Sequence, residues 1–162
     1  MTEVKIKRSK FALFINTTPL STATYKLIGS GFTTAMINYN PEVTKEGYIH
    51  QDGKVSTVES YAPEIPIEGK FITGNDAQDY IETLRRARAT GSAAETDVLL
   101  VYEWVTPVST DQYPAEKQPV AIAFDKFGGD GATYMDTGCT LHFNGDPTQG
   151  LFDLSASTFA AS

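Results

Sequence analysis

The chain is poor in the residues that build disulfides, metal sites and membrane spans. Its single cysteine, Cys139, cannot form an internal disulfide, which favours synthesis in a reducing cytoplasm. Only His50 and His142 could supply imidazole ligands, and no histidine-based zinc site is evident. No apolar run approaches the roughly 20 residues that a membrane helix needs. We therefore expect neither a disulfide framework nor a membrane protein.

Basic residues are also scarce, with 13 against 20 acidic residues and a net charge of −7. This balance disfavours a protein that binds nucleic acid tightly, because such a protein needs lysine and arginine to displace counterions from phosphate. Solubility is one reason for the charge, and a surface that repels nucleic acid is the other. The apolar patch at residues 11–15 is too short for a secretory signal, so no signal peptide is expected.

The last third of the chain predicts antiparallel sheet. Residues 120–154 contain three strand-like runs, separated by FGGDG at 127–131 and NGDP at 144–147. Glycine readily adopts positive φ, and Asn and Asp tolerate it, so both breaks predict turns. Strands are also expected at 22–39, interrupted between Gly29 and Gly31, and at 97–105, where a nearly continuous apolar run indicates a buried strand.

The stretch between these strands is less regular. Pro63 and Pro66 are expected to break the chain, with a short strand following at 70–73. Residues 106–118 read as a polar, proline-containing loop near the upper end of ordinary loop lengths.

A long hairpin arm is predicted at about 46–61, with its turn at Asp52 and Gly53 and its strands at 48–50 and 55–61. Few large apolar residues lie in it, so it would be poorly stable alone in water. We expect it to lean on its own domain or on a neighbouring molecule.

One helix is predicted, at about 75–89. Asn75 can cap it, Gln78 completes a capping-box pattern, and Gly91 is the expected C-cap. The apolar positions fall at helical spacing and comprise Ala77, Tyr80, Ile81, Leu84 and Ala87 or Arg88. The arginines at its end complement the helix dipole, and the alternative is that they bridge to an acidic neighbour.

No arrangement of side chains predicts catalysis or metal binding. Cys139 and His142 are three residues apart in a strand and therefore point to opposite faces, which makes Cys139 a small core residue. Asp125 and Asp136 flank a glycine turn, but the spacing matches neither an EF-hand loop nor a tandem GGxGxD repeat. We expect a non-enzymatic protein without metal or cofactor.

The order of these segments resembles the major tail tube proteins of long-tailed, non-contractile bacteriophages and of related prophage and gene-transfer particles. Each segment alone is weakly specific, but their order and spacing together cover most of the chain. They are KRSKFALFINT (7–17), YKLIGSGFT (25–33), YNPEVT (39–44), YIHQD (48–52), VESYAPEIP (58–66), DYIETLRRARATG (79–91), FDKFGGDG (124–131) and FNGDPTQGLFD (143–153).

The resemblance implies a mainly β fold, an antiparallel β-sandwich or half-barrel flanked by the helix at about 75–89. It implies a single domain over 1–162, with an extended N-terminal arm (1–20) and a C-terminal tail (about 154–162). Such a structural virion protein is made in the host cytoplasm and polymerises as stacked hexameric rings into the tail tube. Double-stranded DNA passes the channel without tight binding, and the other partners are the tape-measure, tail-tip initiator and tail terminator proteins.

Three sets of residues are candidates for these contacts. The hairpin would supply the subunit interface, an acidic pair would line the lumen, and the chain ends would order when rings stack. The sets are Tyr48, Ile49, Val55, Val58 and Tyr61 for the interface; Asp125 and Asp136 for the lumen; and Lys5, Lys7, Arg8 and Phe152, within the segments 5–14 and 151–159, for the ends.

Two other readings remain open. A monomeric β-sandwich that binds carbohydrate or another surface ligand would suit the exposed aromatics and turn-rich strands. A tube protein of a contractile tail or secretion apparatus would share the architecture, and the presence of a sheath would distinguish it.

Overall fold

The computed structural model describes residues 2–162. Within this range the chain forms eleven strands and one α-helix, which confirms the expected mainly β class with a flanking helix. The elements are β1 (Phe11–Asn16), β2 (Tyr25–Leu27), β3 (Phe32–Ala35), β4 (Pro41–Glu46), β5 (Val55–Tyr61), β6 (Glu64–Lys70), α1 (Asp76–Ala87), β7 (Glu95–Tyr102), β8 (Gln112–Gly128), β9 (Asp136–Phe143), β10 (Thr148–Asp153) and β11 (Thr158–Ala161).

Nine strands form one antiparallel sheet in the order β2-β1-β7-β8-β9-β6-β3, with β10 and β11 joined through β8. The 17-residue β8 makes this branching possible. Its first part, Gln112 to Lys117, pairs with β10, and its second part, Val120 to Gly128, pairs with β9. One long strand therefore belongs to both layers of the sandwich. Strands β4 and β5 form a separate two-stranded sheet.

The core lies on both faces of the central strands. On β7, Val98 and Leu100 contribute to a cluster shared with β6, β9 and α1, whereas Leu99 and Val101 contribute to a second cluster beneath β10. All four side chains are at most 2% exposed. Burial on both faces is the reason that this strand reads as a nearly continuous apolar run.

The helix begins as predicted and ends differently. Asn75 accepts a hydrogen bond from the Gln78 backbone N–H at 3.2 Å, and Ala77 and Ile81 are buried against the sheet. Gln78 forms no capping box, because its buried side chain donates to Ser30 O and Lys70 O instead. Arg88, at φ 47°, takes the left-handed C-cap position expected of Gly91. No helix in the described residues is long and apolar enough to span a membrane.

Three expectations for the stretches between the predicted strands are wrong. The stretch containing Pro66 is strand β6, whereas the short strand predicted at 70–73 is absent there. Strand β3 pairs only with Ile67 to Gly69, so no β3 residue needs a backbone N–H from Pro66. The predicted loop at 106–118 contains the first part of β8, because pairing with β7 and β10 on both sides outweighs its polar composition.

Both chain ends contain more regular structure than the extended N-terminal arm and the C-terminal tail that the resemblance implies. In the predicted arm at 1–20, β1 lies between β2 and β7, which leaves residues 2–7 without regular structure before a short 3-10 turn at Arg8–Lys10. In the predicted tail at 154–162, β11 pairs with β10. The expectation that 151–159 is loose in the monomer is therefore wrong.

Phe152 carries the clearest correction among the candidate end residues. Its side chain is fully buried, with the Phe14 ring centroid 4.7 Å away and the Tyr25 ring 6.1 Å away. Burying this aromatic surface anchors β10 to β1 and β2, so Phe152 belongs to the core and offers no surface to another ring.

Candidate assembly surfaces

The hairpin arm, strands β4 and β5 with residues 47–54 between them, projects from the body of the protein. Every residue from 39 to 62 is exposed. The arm is longer than predicted, since its first strand is Pro41–Glu46 and Glu46 pairs with Val55. Neither Asp52 nor Gly53 has the positive φ that a type I′ turn requires, so the chain reverses through a wider connection.

The candidate interface residues lie at two places on this arm. Val55, Val58 and Tyr61 belong to β5, while Tyr48 and Ile49 lie in the connection at the tip. Val58 pairs with Val43 and Val55 pairs with Glu46, three residues apart along β5, so Val55 and Val58 face opposite sides. Ile49 is fully exposed, and the two valines are 40% and 52% exposed. The arm thus presents apolar side chains on both faces.

Polar contacts within the arm support its shape. Thr44 Oγ1 donates to Glu59 at 2.7 Å, and the Tyr48 hydroxyl donates to Glu46 at 2.9 Å. At the base, the rings of Tyr39 and Tyr61 meet edge to face at 6.2 Å. These contacts order the arm without covering its valines or Ile49.

A second surface is the four-stranded part of the sheet formed by β8, β9, β6 and β3. Strand β7 pairs with β8 only as far as Ala121, so residues 122–128 have no strand partner on that side. Strand β3 is the last in the sheet order, so no other strand of the described residues pairs with its outer edge. Three successive antiparallel pairings make β3 run opposite to β8. The two open edges are therefore oriented to pair antiparallel with each other in different molecules.

The face of this four-stranded sheet that points away from the core is charged. Both candidate lumen residues lie on it: Asp136 forms an ion pair with Lys70, and Asp125 accepts a hydrogen bond from Thr140 Oγ1 at 2.7 Å. The ion pair with Lys70 lowers the pKa of the Asp136 carboxyl below its usual value.

Other ionic contacts cross the same face. Lys126 Nζ lies 3.3 Å from Glu68, and His142 Nδ1 lies 3.2 Å from Glu64. The carboxylates of this face outnumber its lysines by four to two; they are Asp125, Asp136, Glu64 and Glu68 against Lys70 and Lys126.

The candidate end residues Lys5, Lys7 and Arg8 are all exposed. Arg8 is bound to its own chain, because its guanidinium donates to Phe11 O and, at 3.1 Å, to Ala35 O at the end of β3. Lys5 and Lys7 alternate with Val4 and Ile6, which are 73% and 54% exposed. The segment before Arg8 therefore presents both cations and apolar side chains.

The sequence expectation for Cys139 and His142 is confirmed. Cys139 is buried in the core, whereas His142 is exposed on the opposite face of β9. Burial raises the pKa of the Cys139 thiol to about 12, which disfavours the thiolate a nucleophile needs. Within residues 2–162, no group of three His, Cys, Asp or Glu side chains is arranged to hold a metal ion.

Two grooves were not foreseen from the sequence, because each is lined by segments far apart in the chain. One, of about 690 Å³, borders the open edge of β8. There Arg85 lies 3.8 Å from the centre of the Phe127 ring and bonds to Glu82 of its own helix at 2.6 and 2.7 Å. The sequence predicts that the arginines at the helix end complement the helix dipole or bridge to an acidic neighbour. Arg85 does pair with an acidic residue, but that residue, Glu82, belongs to the same helix. The other groove, of about 700 Å³, lies between the arm and the body and includes Tyr39, Tyr61 and Leu100.

Comparison with known proteins identifies this fold. No family model matches the chain, and no curated protein matches it in sequence. Among solved structures, it is similar to the tail of an empty gene transfer agent particle. That structure was obtained by helical refinement with C6 symmetry. The similarity has a TM-score of 0.62 at 10% sequence identity and covers 97% of this chain and 100% of the other. The chain therefore has the fold of a tail protein from a phage-like particle, which confirms at the level of the fold the resemblance noted in its sequence.

Proposed function

We propose that this protein is the structural subunit of a phage-like tail tube, in which rings of six copies stack around a channel for double-stranded DNA. The observation that carries the proposal is the fold similarity over nearly the whole chain to a tail with C6 symmetry. In this function the protein is neither an enzyme nor a cofactor carrier. It is made in the cytoplasm of the bacterial host and resides in the virion tail.

The open sheet edges supply a way to close the ring. Strand β3 of one copy would pair with residues 122–128 of the next, and the antiparallel orientation of the two edges permits the same contact six times. A head-to-tail contact of this kind closes when the rotation between subunits matches the symmetry. Closure would also remove two edges that are liable to aggregate in a free subunit.

In such a ring the charged face of β8, β9, β6 and β3 lines the channel. Asp125 and Asp136 then lie on the lumen wall together with Glu64 and Glu68. Their excess over Lys70 and Lys126 repels phosphate, so DNA slides without releasing the counterions that tight binding would require. A structure of the assembled tube with a neutral or basic lumen would overturn this part of the proposal.

The hairpin arm would make the contact with a neighbouring subunit through Tyr48, Ile49, Val55, Val58 and Tyr61. Its valines and Ile49 are apolar surface that the monomer does not cover. Lys5, Lys7 and Arg8 would contribute to the contact between rings. The tape-measure, tail-tip initiator and tail terminator proteins would then meet the inside and the two ends of the tube.

Electron microscopy of the concentrated, aged protein, beside size-exclusion chromatography, tests the proposal. Hollow tubes or rings of even diameter are expected. Ile49→Asp should remain a folded monomer, because a carboxylate at the tip cannot be buried in an apolar contact. Gln51→Asp is the matched control, since it adds the same charge to the same exposed connection and should still assemble. A wild-type protein that stays monomeric even with preformed tube fragments as seeds would contradict the proposal.

A further inference from the structure

We propose that the N-terminal segment, residues 2–7, of one copy binds the groove at the base of the hairpin arm of a second copy. This inference rests on the proposed function, because it names the acceptor for a chain end between assembled subunits.

The groove, called here the arm-base groove, has a mixed aromatic and aliphatic lining. Tyr39 and Tyr61 form one side, Leu100 of β7 lies within it, and Phe143 closes the end of β9. Its volume of about 700 Å³ lies within the range of roughly 300–1,000 Å³ that is typical of ligand-binding clefts. Side chains such as valine and isoleucine would find apolar partners there.

The charges of the arm-base groove have one sign. Glu116 and Asp146 line it, and no lysine or arginine does. Glu116 is held in place by Gln149, whose Nε2 donates to its carboxylate at 2.9 Å. Asp146 lies exposed in the turn between β9 and β10. A basic segment is therefore the complementary occupant.

The N-terminal segment combines the positive charge and the apolar side chains that this groove would accept. Residues 2–7 contain Lys5 and Lys7 against the single acidic residue Glu3, so the segment is net positive although the whole chain carries −7. In the order Val4, Lys5, Ile6, Lys7, apolar and cationic side chains alternate, so an extended backbone places the apolar pair on one face and the lysines on the other. The apolar face could pack in the groove while the lysines approach the two carboxylates at its rim.

The folded monomer leaves the segment outside its own groove. Arg8 and Lys10 fix the chain just after it, since Arg8 donates to Ala35 O and the Lys10 carbonyl accepts from the Glu103 N–H at 2.9 Å. Val4 and Ile6 remain exposed in this arrangement. The groove adjoins Ser60 and Tyr61 of the arm, and Tyr39 just before it, so a second copy that contacts the arm would bring its own segment to the same place.

A peptide with the sequence of residues 2–7 tests the groove without any need for tube assembly. Added to the full-length monomer, it should perturb the NMR signals of Leu100, Phe143 and Asp146. Asp146→Lys should weaken its binding by roughly tenfold at low salt, and less at a physiological ionic strength of about 0.15 M, where charges are screened. Asp130→Lys, the same change in the exposed turn between β8 and β9, should leave binding unchanged. No perturbation at the groove, or equal binding by both variants, would overturn the inference.

Cross-linking of mixed chains tests whether the occupant is a second copy. One chain carries Ile6→Cys, the other Asp146→Cys, and both carry Cys139→Ala, so a disulfide can form only between different molecules. Mild oxidation of assembled material should give a covalent dimer, whereas Ile6→Cys with Asp130→Cys should give none.

Two results would count against a second copy. Tubes without this cross-link would refute the docking site and leave the tail function standing. The second result is a disulfide that forms only in dilute protein carrying both Ile6→Cys and Asp146→Cys in the same chain. It would show that the segment binds the groove of its own molecule. Peptide binding by a protein that never assembles would instead refute the tail function alone.

Discussion

Strands β7 and β5 contain similar residues but differ in how far their side chains are buried. Both are rich in β-branched side chains, and both contain two valines. On β7, Val98 and Val101 are fully buried, whereas on β5, Val55 and Val58 are 40% and 52% exposed. The difference arises from their neighbours, because β7 has a strand on each side and packed side chains on both faces, and β5 pairs only with β4.

This contrast separates stability from assembly within one chain. Apolar surface on β7 is removed from water when the monomer folds, so it stabilises the monomer. Apolar surface on the arm remains in water after folding, so its burial can stabilise only a contact with another molecule. Substitutions in the two regions should therefore affect different measurements.

The largest expected effect comes from placing the same charge on each strand. Val98→Asp buries an unpaired carboxylate and should cost more than about 4 kcal/mol, enough to unfold much of the monomer. Val58→Asp should change the free energy of unfolding by less than about 0.5 kcal/mol, yet block assembly. Urea denaturation and electron microscopy of both variants measure the two outcomes. If Val58→Asp unfolded the monomer, the arm would belong to the intramolecular core.

Phe152→Ala should have the next largest effect. Removing a fully buried phenylalanine leaves a cavity beneath β1 and β2 and should lower the free energy of unfolding by about 3–5 kcal/mol. Tyr134→Ala is the control, since that aromatic side chain is 84% exposed and its loss should cost about 0.5 kcal/mol or less. Equal urea midpoints for the two variants would show that Phe152 is not a core residue and would support its prediction as a surface residue of the chain end.

The labelling rate of the Cys139 thiol is a second measurement of the same contrast. At pH 8 the thiol is buried and protonated, because burial raises its pKa to about 12, so a thiol reagent reacts only when the protein opens. Phe152→Ala should speed labelling by roughly 100-fold or more if opening is global. Val58→Asp should leave the rate unchanged. Fast labelling of the wild-type protein would show that β9 opens locally.

The smallest expected effect is a pH dependence at the end of β10. Hydrogen bonds from Ser155 and Ala156 lower the pKa of the Asp153 carboxyl in the folded protein. Its contribution is therefore complete above the unfolded pKa of about 3.9 and is lost as the pH falls through the lower folded value. Asp153→Asn should show a shallower loss of stability below about pH 4, measured by denaturation at several pH values. Identical slopes would contradict this role.

The helix and the antiparallel turns could be predicted because their signals are local. Asn75 and the apolar spacing of α1 lie within one short segment, and Gly129 and Gly145 adopt the positive φ that their turn sequences indicate. The opposite orientations of Cys139 and His142 follow from strand geometry alone.

The errors arise where distant partners outweigh local signals. Polar residues 112–118 form a strand because β7 and β10 pair with them, and Pro66 is tolerated because β3 stops short of it. The arm-base groove gave no sequence signal, since Tyr39, Leu100, Glu116 and Asp146 come together only in the fold.

The sequence by itself determined the β-rich class, the single helix with its N-cap, the main turns and the core position of Cys139. Each follows from side-chain periodicity or backbone preference over a few residues. Only the tertiary structure decided that Phe152 is buried, that the arm stands free, and that residues 122–128 and β3 remain open edges. Strand pairing joins segments tens of residues apart, and its outcome depends on which backbone groups and apolar faces are left for the last strands to cover.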